Sequence, residues 1–171
     1  MRQQKLTGTN LESLIDLLSS KNGATRLKAR KSLVALGNPA VSSLTQALRN
    51  SRSDQVRWEA TKTLGAIGDT KAIPSLVKAL EDNDSDVTWV AAEALRKFKK
   101  AAWPQLLRAL IKSKPDSVLL RQGVHHVIRN QKEDGFNDLL ATLKASLESS
   151  TASESTPFAA LNILRRMKTR L

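Results

Sequence analysis

A 31-residue internal repeat constrains this chain more than any other feature, because self-similarity at such a period marks stacked helical units rather than a closed globule. The segment Val56-Arg57-Trp58-Glu59-Ala60, continuing to Leu64-Gly65-Ala66-Ile67-Gly68-Asp69, returns as Val87-Thr88-Trp89-Val90-Ala91 with Leu95 and Phe98. Thirty-one residues earlier stand Arg26-Leu27-Lys28-Ala29 with Leu33 and Gly37, and 31 residues later Val118-Leu119-Leu120-Arg121. Four copies thus share one register within 171 residues.

Between these segments lie other helical stretches, marked by Leu44 with Leu48, Leu76 with Leu80, Leu106 with Leu110 and Leu139 with Leu143. Each pair is four residues apart and so falls on one helical face. Leu14 with Leu18 opens the series. The unit is a helix A followed by a helix B. Asp54, Ser85 and Asp116 each precede by two residues the Val that starts a B helix, where a short acceptor side chain can cap free backbone amides. Pro74 and Pro104 fall in the first turn of A helices, where a missing amide costs little, and Asn38-Pro39 marks the same boundary in the first copy. The pattern predicts one all-α domain over 1–171, an α-solenoid of about five antiparallel helix pairs whose recognisable repeats run over about 11–143. Residues 146–157 are rich in Ser and Thr and read as a loop. Residues 157–170 read as a last helix, capped by Thr156, that closes the open end of the stack; the alternative is a mobile basic arm.

Residues 56–80, VRWEATKTLGAIGDTKAIPSLVKAL, resemble the HEAT-like repeats named after phycobilisome lyase subunits. The shared pattern is Val-Arg, paired small residues, a Leu-Gly, Ile-Gly-Asp, then Ala, Pro and Leu. The likeness is strong in the second copy, moderate in the first and third, and fades in the fourth, where His126 takes the Leu64 slot. The resemblance implies a right-handed solenoid, and it implies that Arg57 and Asp69 act in a polar ladder between neighbouring repeats. It does not fix a function, since one fold serves many partners.

The repeat also sorts buried from exposed positions, because a given register position faces the same way in every copy. On a wheel of about 100° per residue, Val56, Ala60, Leu64 and Ile67 share one side and Trp58, Glu59, Lys62 and Ala66 the other. Leu27, Trp58, Trp89 and Leu120 then form an apolar ridge across the stacked B helices. Lys28, Glu59, Val90 and Arg121 run beside it, followed by Lys31, Lys62, Glu93 and Val124, with Lys97 a turn further along. Contiguous exposed apolar surface marks binding sites, and Trp and Arg are enriched among binding hot spots. The other reading is that each large side chain packs one B helix on the next. Trp103, by contrast, occupies the slot of Ile73 and reads as core.

Lys and Arg number 28 against 16 Asp and Glu, a formal charge of +12 that favours acidic partners. Residues 1–50 alone carry eight basic groups and two acidic ones. With Leu27, Lys28, Lys31, Trp58, Lys62, Trp89, Glu93, Lys97, Leu120 and Arg121 on one face, the leading expectation is a non-enzymatic adaptor gripping an acidic protein. The rival is a nucleic-acid binder using phosphate contacts and base stacking on tryptophan. A phycobilin lyase-related subunit comes third, on the resemblance alone. Cysteine is absent, which excludes disulfides, thiolate metal sites, a Cys nucleophile and a cysteinyl chromophore link on this chain. His125 and His126 are adjacent, about 100° apart on a helix, and cannot act as an i, i+4 metal pair. Glu81, Asp82, Asp84 and Asp86 lack the spacing of a calcium loop. No cofactor, metal or small-molecule substrate is expected. The start of the chain lacks the apolar run of a signal peptide, and no membrane-spanning stretch occurs, so a cytoplasmic location is expected.

Overall fold

The computed structural model of the protein describes residues 10–169, and every regular element among them is helical. Helix α1 (10–16) ends in a tight turn, Leu17–Ser19, and α2 spans Gly23–Leu36. The chain continues through α3 (Asn38–Asn50), α4 (Asp54–Ile67) and α5 (Ile73–Lys78), the last prolonged by the turn Ala79–Glu81. Then come α6 (Ser85–Phe98), α7 (Trp103–Lys112), α8 (Val118–Ile128), α9 (Asn137–Glu148) and α10 (Ala152–Thr169). The even-numbered B helices α2, α4, α6 and α8 pack each on the next, and α3, α5 and α7 form the A layer. The chain is an all-α solenoid. The expected leader-free start falls on residues 1–9 and the expected last helix includes residue 170; both lie outside the described residues.

The heptad-like spacing supplies the core between the layers: Ala60, Leu64, Leu76, Leu80, Val87, Ala91 and Leu95 are all buried there. The caps stand one residue earlier than the sequence suggested. Asn22 Oδ1 accepts from the amides of Ala24 and Thr25, Ser53 Oγ from Val56, and Asp84 Oδ1 from Asp86 and Val87. A cap bonds the second or third helical amide, so the Val three residues on is the true partner and Asp54 and Ser85 are the first residues of their helices. In the fourth copy Ser117 takes the cap position without a side-chain bond, and the carbonyl of Asp116 accepts from the amide of Val118.

Arg57 begins the expected polar ladder, but its partner differs. Its Nε and Nη2 donate to the two oxygens of Asp82, at 2.8 and 2.9 Å, Nη2 also reaches Asn83, and Nη1 donates to the Ser51 carbonyl. The bond to Asp82 raises the Arg57 pKa above its ordinary value against the opposing effect of burial. Arg57 therefore ties its own helix pair to the following one. Asp69 instead accepts from the amide of Lys71 and turns the chain locally.

Two departures at the C-terminal end change the reading of the surface. The connector before α8 holds five residues, 113–117, against three before α4 and α6, so the fourth copy is displaced by two. Leu120, Val124 and Ile128, not Val118 and His126, take the buried places of Val87, Ala91 and Leu95. The fifth pair is also crossed: α9 lies against α8, while α10 lies against α7 and α9. Trp103 is buried as core beneath this joint, its Nε1 donating to Gln131 and its ring meeting Phe136 edge-on. The Ser/Thr-rich stretch is helical except at 149–151, and α10 starts five residues before Pro157. The carbonyl of Thr151 opens that helix by accepting from Glu154 and Ser155, and buried Thr156 faces Ser146 of α9 instead of serving as a cap.

Candidate partner-binding surface

The face of the B layer turned away from the A helices carries the residues singled out by the register. Trp89 is 60% exposed and Leu27 41% exposed. Trp58 is half-buried, with the Lys62 ammonium 4.3 Å from the centre of its ring, a cation–π contact. Leu120 is not part of this line. It is only 2% exposed because the longer connector turns it into the core; the displacement of two puts Gln122 in its place, and Leu119, 49% exposed, stands one turn earlier, at the register of Asp86. Leu119 and Trp89 line a common cleft of 250 Å³ together with His126 and Gly123. The apolar line across the B helices is therefore Leu27, Trp58 and Trp89, extended onto α8 by Leu119 across the cleft it shares with Trp89. The five-residue connector holding Pro115 is the sequence signal that would have revealed the displacement.

The charges beside this line divide into tied and free groups. Glu59, expected on the surface, is 3% exposed and accepts from Arg26 Nε at 3.1 Å and Arg30 Nη1 at 2.6 Å. Those two arginines thus hold α2 on α4 and are not part of the free basic face. Glu93 joins Arg96 at 2.9 Å and accepts from His126 of α8. That hydrogen bond, with the charges of Arg96, His126 and Arg129, holds the Glu93 carboxyl below its ordinary range despite some desolvation. Lys28, Lys31, Lys62 and Lys97 are exposed and form no salt bridge among the described residues.

Arg121 does not extend the Lys28 column. With the displacement of two, it takes the register of Arg26 and Arg57, whose Nη1 atoms donate to carbonyls six residues back, at Ser20 and Ser51. Arg121 Nη1 is buried without a hydrogen-bond partner among the described residues. It stands at the register of the ladder arginines, half-buried, and not on the exposed flank.

On the opposite side of the apolar line stand carboxylates that the sequence suggested only as a helix cap, Asp54, or as members of an acidic cluster without calcium-loop spacing, Asp84 and Asp86. Asp54, Asp84 and Asp86 line one cleft of 230 Å³ with Trp58, Gln55 and Arg26. Among the described residues no group of three metal-ligating side chains stands together, and no helix is long and apolar enough to cross a membrane. The arrangement offers apolar contact area with fixed charge on both sides.

A family model of HEAT repeats matches residues 41–128. No curated protein matches the sequence. Among solved structures, the complex of CpcE and CpcF of phycocyanin lyase from Nostoc sp. PCC7120 has a chain with a similar fold. The two are 21% identical, with a TM-score of 0.56, over 90% of this chain and 96% of that one. The register of the repeats, the Arg57 ladder and the matched span together place the protein in the HEAT-repeat family.

Proposed function

We propose that this HEAT-repeat scaffold binds a second protein through the exposed face of its B helices, with Trp89 as the principal anchor. The observation that carries the reading is the 60% exposure of Trp89, with Leu119 of α8 beside it across a shared cleft and Leu27 exposed at the same register of α2. A large aromatic left in water on a packed layer forgoes burial worth about 2 kcal/mol, which a partner can recover. In this reading the B layer is the concave side of the stack, and Lys28, Lys31, Lys62 and Lys97 draw in an acidic protein. The net charge of +12 supports that preference. The similar chain in the lyase complex of Nostoc is itself described together with a second protein, which also supports a role exercised in a complex. A lyase-related subunit is the narrower form of the same reading.

A photo-crosslinking amino acid placed at position 89, 119 or 158 in cells tests this. Discrete protein adducts are expected from 89 and 119 and none from 158, on α10. Absence of adducts at 89, or adducts that contain nucleic acid, would overturn the reading. In parallel, DNA and RNA titrations at about 50 and 200 mM salt should show no tight, salt-sensitive quenching of tryptophan fluorescence.

A further inference from the structure

The apolar line is bordered by charges of opposite sign on its two sides, and this asymmetry specifies the partner more closely. Asp54 precedes Trp58 by four residues, Asp86 precedes Trp89 by three, and Asp116 precedes Leu119 by three. Asp54 and Asp86 therefore lie about one turn toward the N-termini of α4 and α6, and Asp116 lies in the connector before α8. Lys31 follows Leu27 by four and Lys62 follows Trp58 by four; the same place after Trp89 is Glu93, which Arg96 and His126 hold, and Lys97 stands one turn beyond it. The cleft shared by Trp58, Asp54, Asp84 and Asp86, to which Arg26 also contributes while paired with Glu59, shows that the carboxylates reach the apolar line. The ammonium of Lys62 over the Trp58 ring shows the same from the other side. A helix end carries only about half a charge against a full charge per side chain, so the side chains decide the sign of each flank.

Spacing decides what can lie along this line. Neighbouring helices pack about 8–10 Å apart. An α-helix laid across them advances about 10 Å in seven residues, which brings one residue of each heptad over one anchor. An extended segment would cover the same distance in about three residues, and its side chains would then point alternately toward and away from the surface. We infer that the B layer binds an amphipathic helix of the partner, lying across α2, α4, α6 and α8. Its apolar stripe rests on Leu27, Trp58, Trp89 and Leu119. One flank is acidic, against the lysines, and the other is basic, against the aspartates. The partner's binding segment is thus charge-segregated and not uniformly acidic, and its chain direction is fixed by that segregation. This rests on the reading that the B layer is the binding face.

Three labelled helical peptides of four heptads, each with one large apolar residue per heptad, provide the test by fluorescence anisotropy with the full chain. One has an acidic and a basic flank, the second two acidic flanks, the third two basic flanks. The segregated peptide is expected to bind at least tenfold more tightly than either of the others. Lys62→Glu with Lys97→Glu should transfer the preference to the peptide with two basic flanks, and Trp89→Ala should weaken all three. The inference is overturned if the doubly acidic peptide binds as tightly as the segregated one, if the charge reversal leaves the order unchanged, or if no peptide binds. Those results beside protein adducts at position 89 would remove the inference and leave the binding face standing; loss of the adducts as well would remove both.

Discussion

Gly65 of α4 packs directly against Ala94 of α6, and replacing it with Ala is a sharp test of the stacking. An added Cβ would stand 2.5 Å from the Cβ of Ala94 and 3.1 Å from its Cα. Carbon atoms in ordinary contact are about 3.5–4.0 Å apart, so the overlap is on the order of 1 Å. The obstacle is helical backbone with its own methyl, which cannot rotate away. Overpacking typically costs about 1–3 kcal/mol, and an overlap of this depth belongs at the upper end. Ala recovers about 1 kcal/mol over Gly through helix propensity. The net expectation is a loss of about 2 kcal/mol, or a fall in melting temperature of about 4–8 °C for a chain of this size. Circular dichroism at 222 nm, followed against temperature and urea, reads this. Adding Ala94→Gly removes the nearer contact, so the pair should show a favourable coupling of about 1 kcal/mol. A Gly65→Ala protein as stable as the parent, or more so, would show that propensity outweighs packing and that the helices are not held at this distance.

Lys99 stands 31 residues after Gly68 and 62 after Gly37, and all three adopt positive φ, at 49°, 75° and 66°. Lys99→Gly should therefore stabilise the protein by about 1 kcal/mol, seen as a raised urea midpoint. Arg57→Ala strands the largely buried Asp82 and should cost about 3 kcal/mol, whereas Arg166→Ala, which breaks an exposed pair with Asp138, should leave the midpoint unchanged. Because folding lowers the Glu93 pKa below its ordinary 4.5, its contribution is complete above that value and lost as pH falls through the lower folded value. Between about pH 5 and pH 3 the parent should lose more stability than Glu93→Gln does; equal losses would show that the contacts with His126 and Arg96 do not matter.

The repeat made the helix pairs, their order and the Trp103 core position legible, because positions 31 apart meet the same neighbours. The same regularity misled at the fourth copy. A strict offset put Leu120 and Arg121 on the surface, while two extra connector residues turned Leu120 inward and moved Arg121 to the register of Arg26 and Arg57. Glu59 was misread for a different reason. Its slot is outward on an isolated helix, but Arg26 and Arg30 reach over from α2 and bury it, a tertiary pairing that no wheel displays. The tail was misread because Ser and Thr favour turns only when they are free to bond their own backbone. Here Ala152, Ala159, Ala160 and Ile163 bury a face, and packing on α7 and α9 carries the helix through Pro157.

The role of the B layer as the binding face is tested most directly by the affinity of a partner captured through position 89. It should be measured for the parent, Trp89→Ala and Phe158→Ala at matched melting temperatures. Loss of a central aromatic anchor is worth about 2 kcal/mol, so Trp89→Ala should bind about 30-fold more weakly. Phe158→Ala, whose ring is exposed on α10, should bind as the parent does. Equal affinity for Trp89→Ala and the parent, or a loss confined to Phe158→Ala, would contradict the assignment and move the binding face to the C-terminal end of the stack.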